Sequence, residues 1–174
     1  MPAEQVRPAV EPVQVRSATV ADDAALLAIE VTSWPPGSGF PSYLAEQQRR
    51  TSFFGETNTP EDVMVAEYQG SVVGHIKVRQ PYPMPEGAHL FAIHGLVVAE
   101  HARGNGVGGA LLRAAEHRVR GHGGRKLKLN VFGTNPTAQR LYERHGYVVE
   151  GRYAGEFFID GEYIDDIAMS KPLD

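Results

Sequence analysis

Past the first dozen positions, apolar residues fall into short segments whose spacing switches between the period of a strand and that of a helix. Val13 to Arg16 predicts a short strand, and Ala25, Leu26 and Ile29 place a helix over Asp22 to Val31, which Trp34-Pro35-Pro36-Gly37 terminates. Ser42 to Ser52, with Tyr43, Leu44 and Gln47 on related faces, predicts a second, more polar helix. Val63 to Tyr68 and Val72 to Val78 are β-branched runs on either side of Gln69-Gly70, the pattern of a tight hairpin.

His89 to Val98 is the longest apolar strand candidate, and it leads through a short loop into Val107 to Arg120. There Val107, Ala110, Leu111, Ala114, Ala115 and Val119 form one helical stripe. Lys126 to Phe132 predicts a further strand and Pro136 to His145 a helix with proline in its first turn. Closing strands are expected from Val148 onward and over Glu162 to Ser170. Strands alternating with helices, with hairpins at both ends, predict a mixed α/β sheet.

Met1 to Pro12 carries three prolines and no periodicity, which predicts a disordered leader over 1–12 and one domain over 13–174. A chain of 174 residues is long enough to bury a sizeable core. Its net charge of -4 argues against bulk electrostatic binding to nucleic acid or to an anionic membrane. With no cysteine, a cysteine nucleophile and thiolate metal sites are excluded, and the composition fits a reducing, cytoplasmic setting. No apolar run approaches the roughly 20 residues that cross a bilayer, and no basic segment followed by an apolar one opens the chain. The seven histidines include no pair at metal-ligand spacing, so no metal is expected.

Chemistry is concentrated in the turn Arg103-Gly104-Asn105-Gly106-Val107-Gly108-Gly109, between the apolar strand and the following helix. Glycines permit close backbone approach, and the start of a helix offers unpaired N–H groups, a combination suited to phosphate. Gly104, Gly106 and Gly109 also satisfy a dinucleotide fingerprint, but no acidic residue stands in Lys126 to Phe132, about 20 residues on. A nucleoside triphosphate loop would need a Lys-Ser/Thr pair after the glycines, and none follows. A purely structural, packing turn competes with the phosphate reading.

Arg103 to Gly108 resembles the Q/R-x-x-G-x-G/A signature of the GNAT superfamily of N-acetyltransferases. Asn135-Pro-Thr-Ala138-Gln-Arg-Leu141-Tyr142-Glu-Arg-His-Gly146-Tyr147 resembles that family's second element, N-x-x-A-x-x-L-Y-x-x-x-G-F, with Tyr147 in place of Phe. The likeness is close from Ile93 to Tyr147 and looser outside it. It implies a mostly antiparallel mixed sheet of six or seven strands with about four helices, and acetyl-CoA as cosubstrate. By the same resemblance, Arg103, Gly104, Asn105, Gly106, Val107, Gly108 and Gly109 hold pyrophosphate. The backbone of Leu96, Val97 and Val98 pairs with pantetheine, one strand N–H polarises the carbonyl, and Asn135, Ala138 and Tyr142 line the coenzyme. Asn135 is equally suited by type to cap the following helix.

The resemblance makes Tyr142 the general acid, although a tyrosine beside Leu141 on a helix also fits core packing. His94 is the candidate base, since an imidazole with an ordinary pKa near 6.5 suits proton removal, against the competing reading of a satisfied histidine in the sheet. His75, in the hairpin, is expected to face solvent as readily as not. Tyr163, Asp165 and Asp166 either hold a cationic amine or form a solvated strand face. The expected activity is acetyl transfer to a primary amine of a small molecule or a protein N-terminus, directly in a ternary complex. A coenzyme-binding regulatory module without turnover is the alternative, because Leu90 and Ala92 stand where a strand carboxylate would. Trp34 to Phe54 is expected to form part of the acceptor wall, and the resemblance allows a homodimer.

Overall fold

The structure, a computed structural model, describes residues 12–174, so the expected leader lies outside the described residues except for Pro12. Seven strands form one sheet: β1 Gln14–Ser17, β2 Val63–Tyr68, β3 Ser71–Arg79, β4 Leu90–Val98, β5 Lys126–Phe132, β6 Val148–Ile159 and β7 Glu162–Pro172. Among the described residues four α-helices accompany it: α1 Asp23–Thr32, α2 Pro41–Gln47, α3 Val107–Gly121 and α4 Pro136–Arg144. The strand order is β1-β2-β3-β4-β5-β7-β6, antiparallel throughout except for the parallel pair β4 and β5. The expected hairpin is present, with Gln69 and Gly70 both at positive φ, the geometry that matches the twist of two adjoining strands. Among the described residues no helix is long and apolar enough to cross a membrane.

The expected stripe of α3 is buried at Val107, Leu111, Ala115 and Val119 and packs on β3, β2 and β4. Asn135 accepts a hydrogen bond from the Ala138 N–H at 3.1 Å and so caps α4, whose first residue is Pro136. The second helix is shorter than its sequence pattern predicts, ending at Gln47, and Arg50 then turns its guanidinium onto the carbonyls of Ser52 and Phe53.

Two features of the sheet bear on the site. β4 and β5 pair only at Leu90, Phe91 and Ala92 with Lys126, Leu127 and Lys128, after which β4 follows β3 and β5 follows β7, leaving a wedge between them. At the same place β4 carries one extra residue: Lys77 faces Gly95 and Val78 faces Ile93, so His94 is a β-bulge.

The second is β3, which is buried on both faces. Gly74 abuts Val107 and Leu111 of α3, whereas its neighbour His75 meets Glu30 of α1. The Glu30 carboxylate is fully buried, accepting from His75 Nε2 at 2.8 Å and from the Tyr43 hydroxyl at 2.5 Å, with Lys77 Nζ at 3.8 Å. Burial alone would raise its pKa, but the hydrogen bond from His75 and the nearby positive charge win and hold it at about 2. His75 is pushed down by its own desolvation, and its Nδ1 has no partner. A neutral ring donating through Nε2 fits both facts, since a protonated ring would leave a buried N–H unsatisfied. One carboxylate thereby joins α1, α2 and β3.

Glu30→Gln leaves the Lys77 ammonium without its counter-charge and is expected to cost about 3 kcal/mol. For a chain of this size, that lowers Tm by about 6–12 °C in a thermal melt. Because folding depresses this carboxyl, its contribution exists above its ordinary pKa of 4.5 and is lost as pH falls toward about 2. The stability gap between wild type and variant should close over that interval. A gap independent of pH would mean that Glu30 is not ionised in the fold.

Candidate functional site

The wedge opens into a cavity of about 820 Å³. Five consecutive residues of β4, Ala92 to Leu96, and five of β5, Lys128 to Phe132, line it. Side chains of a paired strand alternate between faces, so consecutive lining means that the strand edges themselves border the cavity. The edge of β4 turned away from β3 pairs with no other strand beyond Ala92, which leaves backbone groups available to an extended ligand.

His94 projects from its bulge into this space and is solvent-accessible there. The cavity walls lower its pKa below the ordinary 6.5 by stripping water, and the positive charges of Arg79 and Lys77 lower it further. The ring is therefore neutral at pH 7. Tyr142 reaches the cavity from α4 and is only 7% exposed. Its ring packs edge-on against Tyr147 at 5.7 Å, and burial pushes its phenol up to about 12. Asn135 and Ala138, which precede it at the start of α4, also line the cavity.

The glycine-rich turn lies outside the cavity lining but adjoins it. A Cβ on Gly108 would stand 3.0 Å from Leu141, next to Tyr142, and 3.9 Å from Leu96. Gly106 caps α3 at φ 79°, with no side chain accepting the first-turn N–H groups. A Cβ built on Gly104 or Gly106 meets nothing within 4 Å, so the approach to those N–H groups is open. Gly109 differs, since its Cβ would fall 2.7 Å from His145 Nε2, and that glycine serves helix packing. Arg103 is exposed and donates to the carbonyls of Val98 and Ser33, while the Asn105 amide braces Ala102 and Arg103.

Of the expected residues, His94, Leu96, Asn135, Ala138 and Tyr142 meet in one cavity, while Val97 is buried in the core beneath it. The acceptor wall expected over Trp34 to Phe54 supplies Trp34, Phe40, Tyr43, Glu46 and Arg50. Tyr163, Asp165 and Asp166 are separated. Asp166 lines the cavity and accepts from Asn130 at 2.6 Å, Asp165 binds Arg152 and the Gly155 N–H, and Tyr163 is 75% exposed. His75 is wholly buried, because α1 covers the face of β3 on which it stands. Glu30, Lys77, Arg79 and Lys128 were not among the residues expected at the site. The one signal was a lysine and a glutamate set inside apolar runs, at His75-Ile76-Lys77-Val78 and Leu27-Ala28-Ile29-Glu30.

Comparisons with known proteins agree with this geometry. YhfO of Bacillus subtilis, described as an uncharacterized N-acetyltransferase, is 31% identical over 85 residues, 49% of this chain and 57% of that protein. The L-amino acid N-acetyltransferase AaaT of Escherichia coli is 29% identical over 112 residues, 62% of this chain and 66% of that protein. The match thus spans less than two thirds of the length of either relative. In fold, the chain is similar to yncA of Salmonella typhimurium, solved with its cofactor acetyl-CoA, at a TM-score of 0.73 and 19% identity over 94% of this chain and 95% of that one. The model of the acetyltransferase (GNAT) family matches residues 24–147, and the chain belongs to that family.

Proposed function

We propose that the protein transfers an acetyl group from acetyl-CoA to a primary amine, directly within a ternary complex. The observation that carries this is the wedge between β4 and β5, which joins an open strand edge to the uncapped start of α3. The fit is supported by open space over Gly104 and Gly106, a free strand edge and a cavity of about 820 Å³. The similarity in fold to a structure holding acetyl-CoA supports the same cosubstrate. Arg103 to Gly108 would hold the pyrophosphate, the backbone of Leu96, Val97 and Val98 the pantetheine, and Asn135, Ala138 and Tyr142 its flank.

Acetyl-CoA supplies the thioester: the amine nitrogen bonds to the acetyl carbon, the carbon–sulfur bond breaks, and a proton leaves nitrogen while another reaches sulfur. His94, neutral at pH 7 and facing the cavity, takes the first proton directly or through water. Tyr142 donates the second. Burial keeps its phenol protonated but also makes it a weaker acid. The same burial destabilises a departing thiolate, so donation accompanies bond breaking rather than following it. With no cysteine in the chain, no thioester of the protein's own can form on the way.

Tyr142→Phe keeps the ring and removes the donor, so kcat should fall by about 10²–10⁴-fold while acetyl-CoA affinity in calorimetry stays nearly unchanged. An unaltered kcat would remove Tyr142 as the acid. For His94, kcat/KM for the amine should fall as pH drops below a pKa that lies under 6.5, and His94→Gln should lose that limb. Persistence of the limb in the variant would assign the base elsewhere. The function itself is tested by titrating acetyl-CoA, with NADH as control, into wild type and Gly106→Val. A branched residue is strained at φ 79° and fills the approach to the α3 N-terminus. Binding of acetyl-CoA to wild type alone is expected; equal binding by the variant, or preference for NADH, would overturn the reading.

A further inference from the structure

The cavity wall carries lysine side chains whose hydrogen-bonding capacity the protein does not fill. Arg50, Lys77, Arg79 and Lys128 line the cavity with the carboxylates Glu46 and Asp166. Arg79 is paired with Asp62 at 2.7 Å and Lys77 lies 3.8 Å from Glu30, whereas Lys128, among the described residues, donates only to the Tyr82 hydroxyl, at 3.3 Å. Two of these cations flank the closed end of the wedge and a third stands further along β3. Lys128, opposite Ala92, is the last residue of β5 paired with β4; Arg79 pairs with Ala92 from the β3 side, and Lys77 stands opposite Gly95 beside the bulged His94. The glycine-rich turn contributes nothing to the lining, so this charge is separate from the proposed pyrophosphate site.

Lys77 is the most informative of them. It is only 6% exposed, and its ammonium lies 5.8 Å from the ring centres of both Tyr43 and Phe53. An ammonium has three donors to satisfy, but its nearest acceptors are the Tyr43 hydroxyl at 3.4 Å and a Glu30 oxygen at 3.8 Å. Both Glu30 oxygens already accept shorter bonds from Tyr43 and His75. Glu30 therefore balances the charge of Lys77 without using its hydrogen-bonding capacity. Gly95 makes room for this arrangement, because a Cβ there would lie 2.9 Å from Lys77 Cε. Burial pulls the Lys77 pKa down, opposed by Glu30, and its remaining N–H donors on the cavity wall are left for a ligand acceptor to satisfy.

The cavity also has an apolar wall. Phe40 contacts Phe132 and Phe157 edge-on, with ring centres 4.9 and 4.8 Å away. We infer that the acceptor is a primary amine bearing a carboxylate or similar oxyanion together with an apolar portion, with the anion held by the free donors of Lys77 and Lys128. This rests on the acetyl-CoA reading above. It assigns Lys77 and Lys128 a recognition role and predicts that acceptors without an anion are used less well.

The test is a thiol-release assay at saturating acetyl-CoA, after calorimetry has established that the coenzyme binds. The acceptors are the common L-amino acids, their carboxamides, spermidine and a cationic aminoglycoside. Turnover highest with the acids, with kcat/KM at least about tenfold above the matching carboxamides, is expected from loss of a charge-assisted hydrogen bond. Lys77→Met should raise KM for the acid at least about tenfold and leave that for the carboxamide unchanged. Lys128→Met, at a partly exposed site, should act in the same direction should Lys77→Met fail to fold, and should leave the acetyl-CoA Kd unchanged. Trp34, the chain's one tryptophan, lines the cavity, so its fluorescence gives an independent binding readout. Coenzyme binding with turnover of spermidine or the aminoglycoside equal to that of the acids, with equal use of acid and carboxamide, or with no anionic amine used, would overturn the inference and leave the acetyl-CoA reading standing. A weakened coenzyme Kd in Lys128→Met would assign the cations to the coenzyme and overturn it likewise. Failure to bind acetyl-CoA would remove both.

Discussion

One extra residue in β4 governs the site. The bulge at His94 is an interruption in the pairing of β3 with β4, and it falls within two residues of the last contact between β4 and β5. A bulged strand bends and twists more strongly than a regular one, which agrees with β4 leaving β5 here and following β3. From that divergence come the wedge, the unpaired strand edge and the inward aim of the His94 ring. β5 stays anchored by a full register with β7 from Lys126 to Phe132, while β4 stays paired with β3, so each side of the opening is held by a different strand.

A bent strand beside a cavity must be held, and the helices do this from both faces of β3. On one face, Gly74 lets Val107 and Leu111 of α3 come close, which fixes the glycine-rich turn relative to Leu96. On the other face, Glu30 gathers His75, Tyr43 and Lys77, tying α1 and α2 to the strand that carries the cations. Arg103 completes the link by donating to Ser33, just past the end of α1, from the turn itself. The proposed coenzyme end and acceptor end are therefore parts of one mechanical unit, in which the buried carboxylate contributes both packing and charge balance. Burying that charge is tolerated because three donors or cations surround it; any one of them alone would leave it under-compensated.

The extent to which this was legible in the sequence follows from how local each feature is. The turn from Arg103 to Gly109 and the start of α4 at Asn135 and Pro136 are encoded by consecutive residues, so glycine conformational freedom and capping chemistry identify them without tertiary information. Strand and helix positions were readable to within a few residues for the same reason, except for α2, whose polar pattern overextended it to Ser52. The acceptor end was not readable. Glu30 and His75 are brought together across 45 positions, and β3 reads as a half-buried hairpin strand until one knows that α1 covers its second face. Asp165 and Asp166 are adjacent in sequence but point to opposite sides of β7, one to Arg152 and one to the cavity. Their shared charge carried no information about which one mattered.

The central claim is that the wedge between β4 and β5 receives acetyl-CoA, and residue-resolved amide NMR during a titration with acetyl-CoA tests it most directly. The account predicts the largest shifts at Leu96 to Val98, at Gly104 to Gly109 and at the first turn of α4, with β6 and the β2–β3 hairpin turn unmoved. Shifts concentrated away from the wedge, or none at saturating coenzyme, would contradict it.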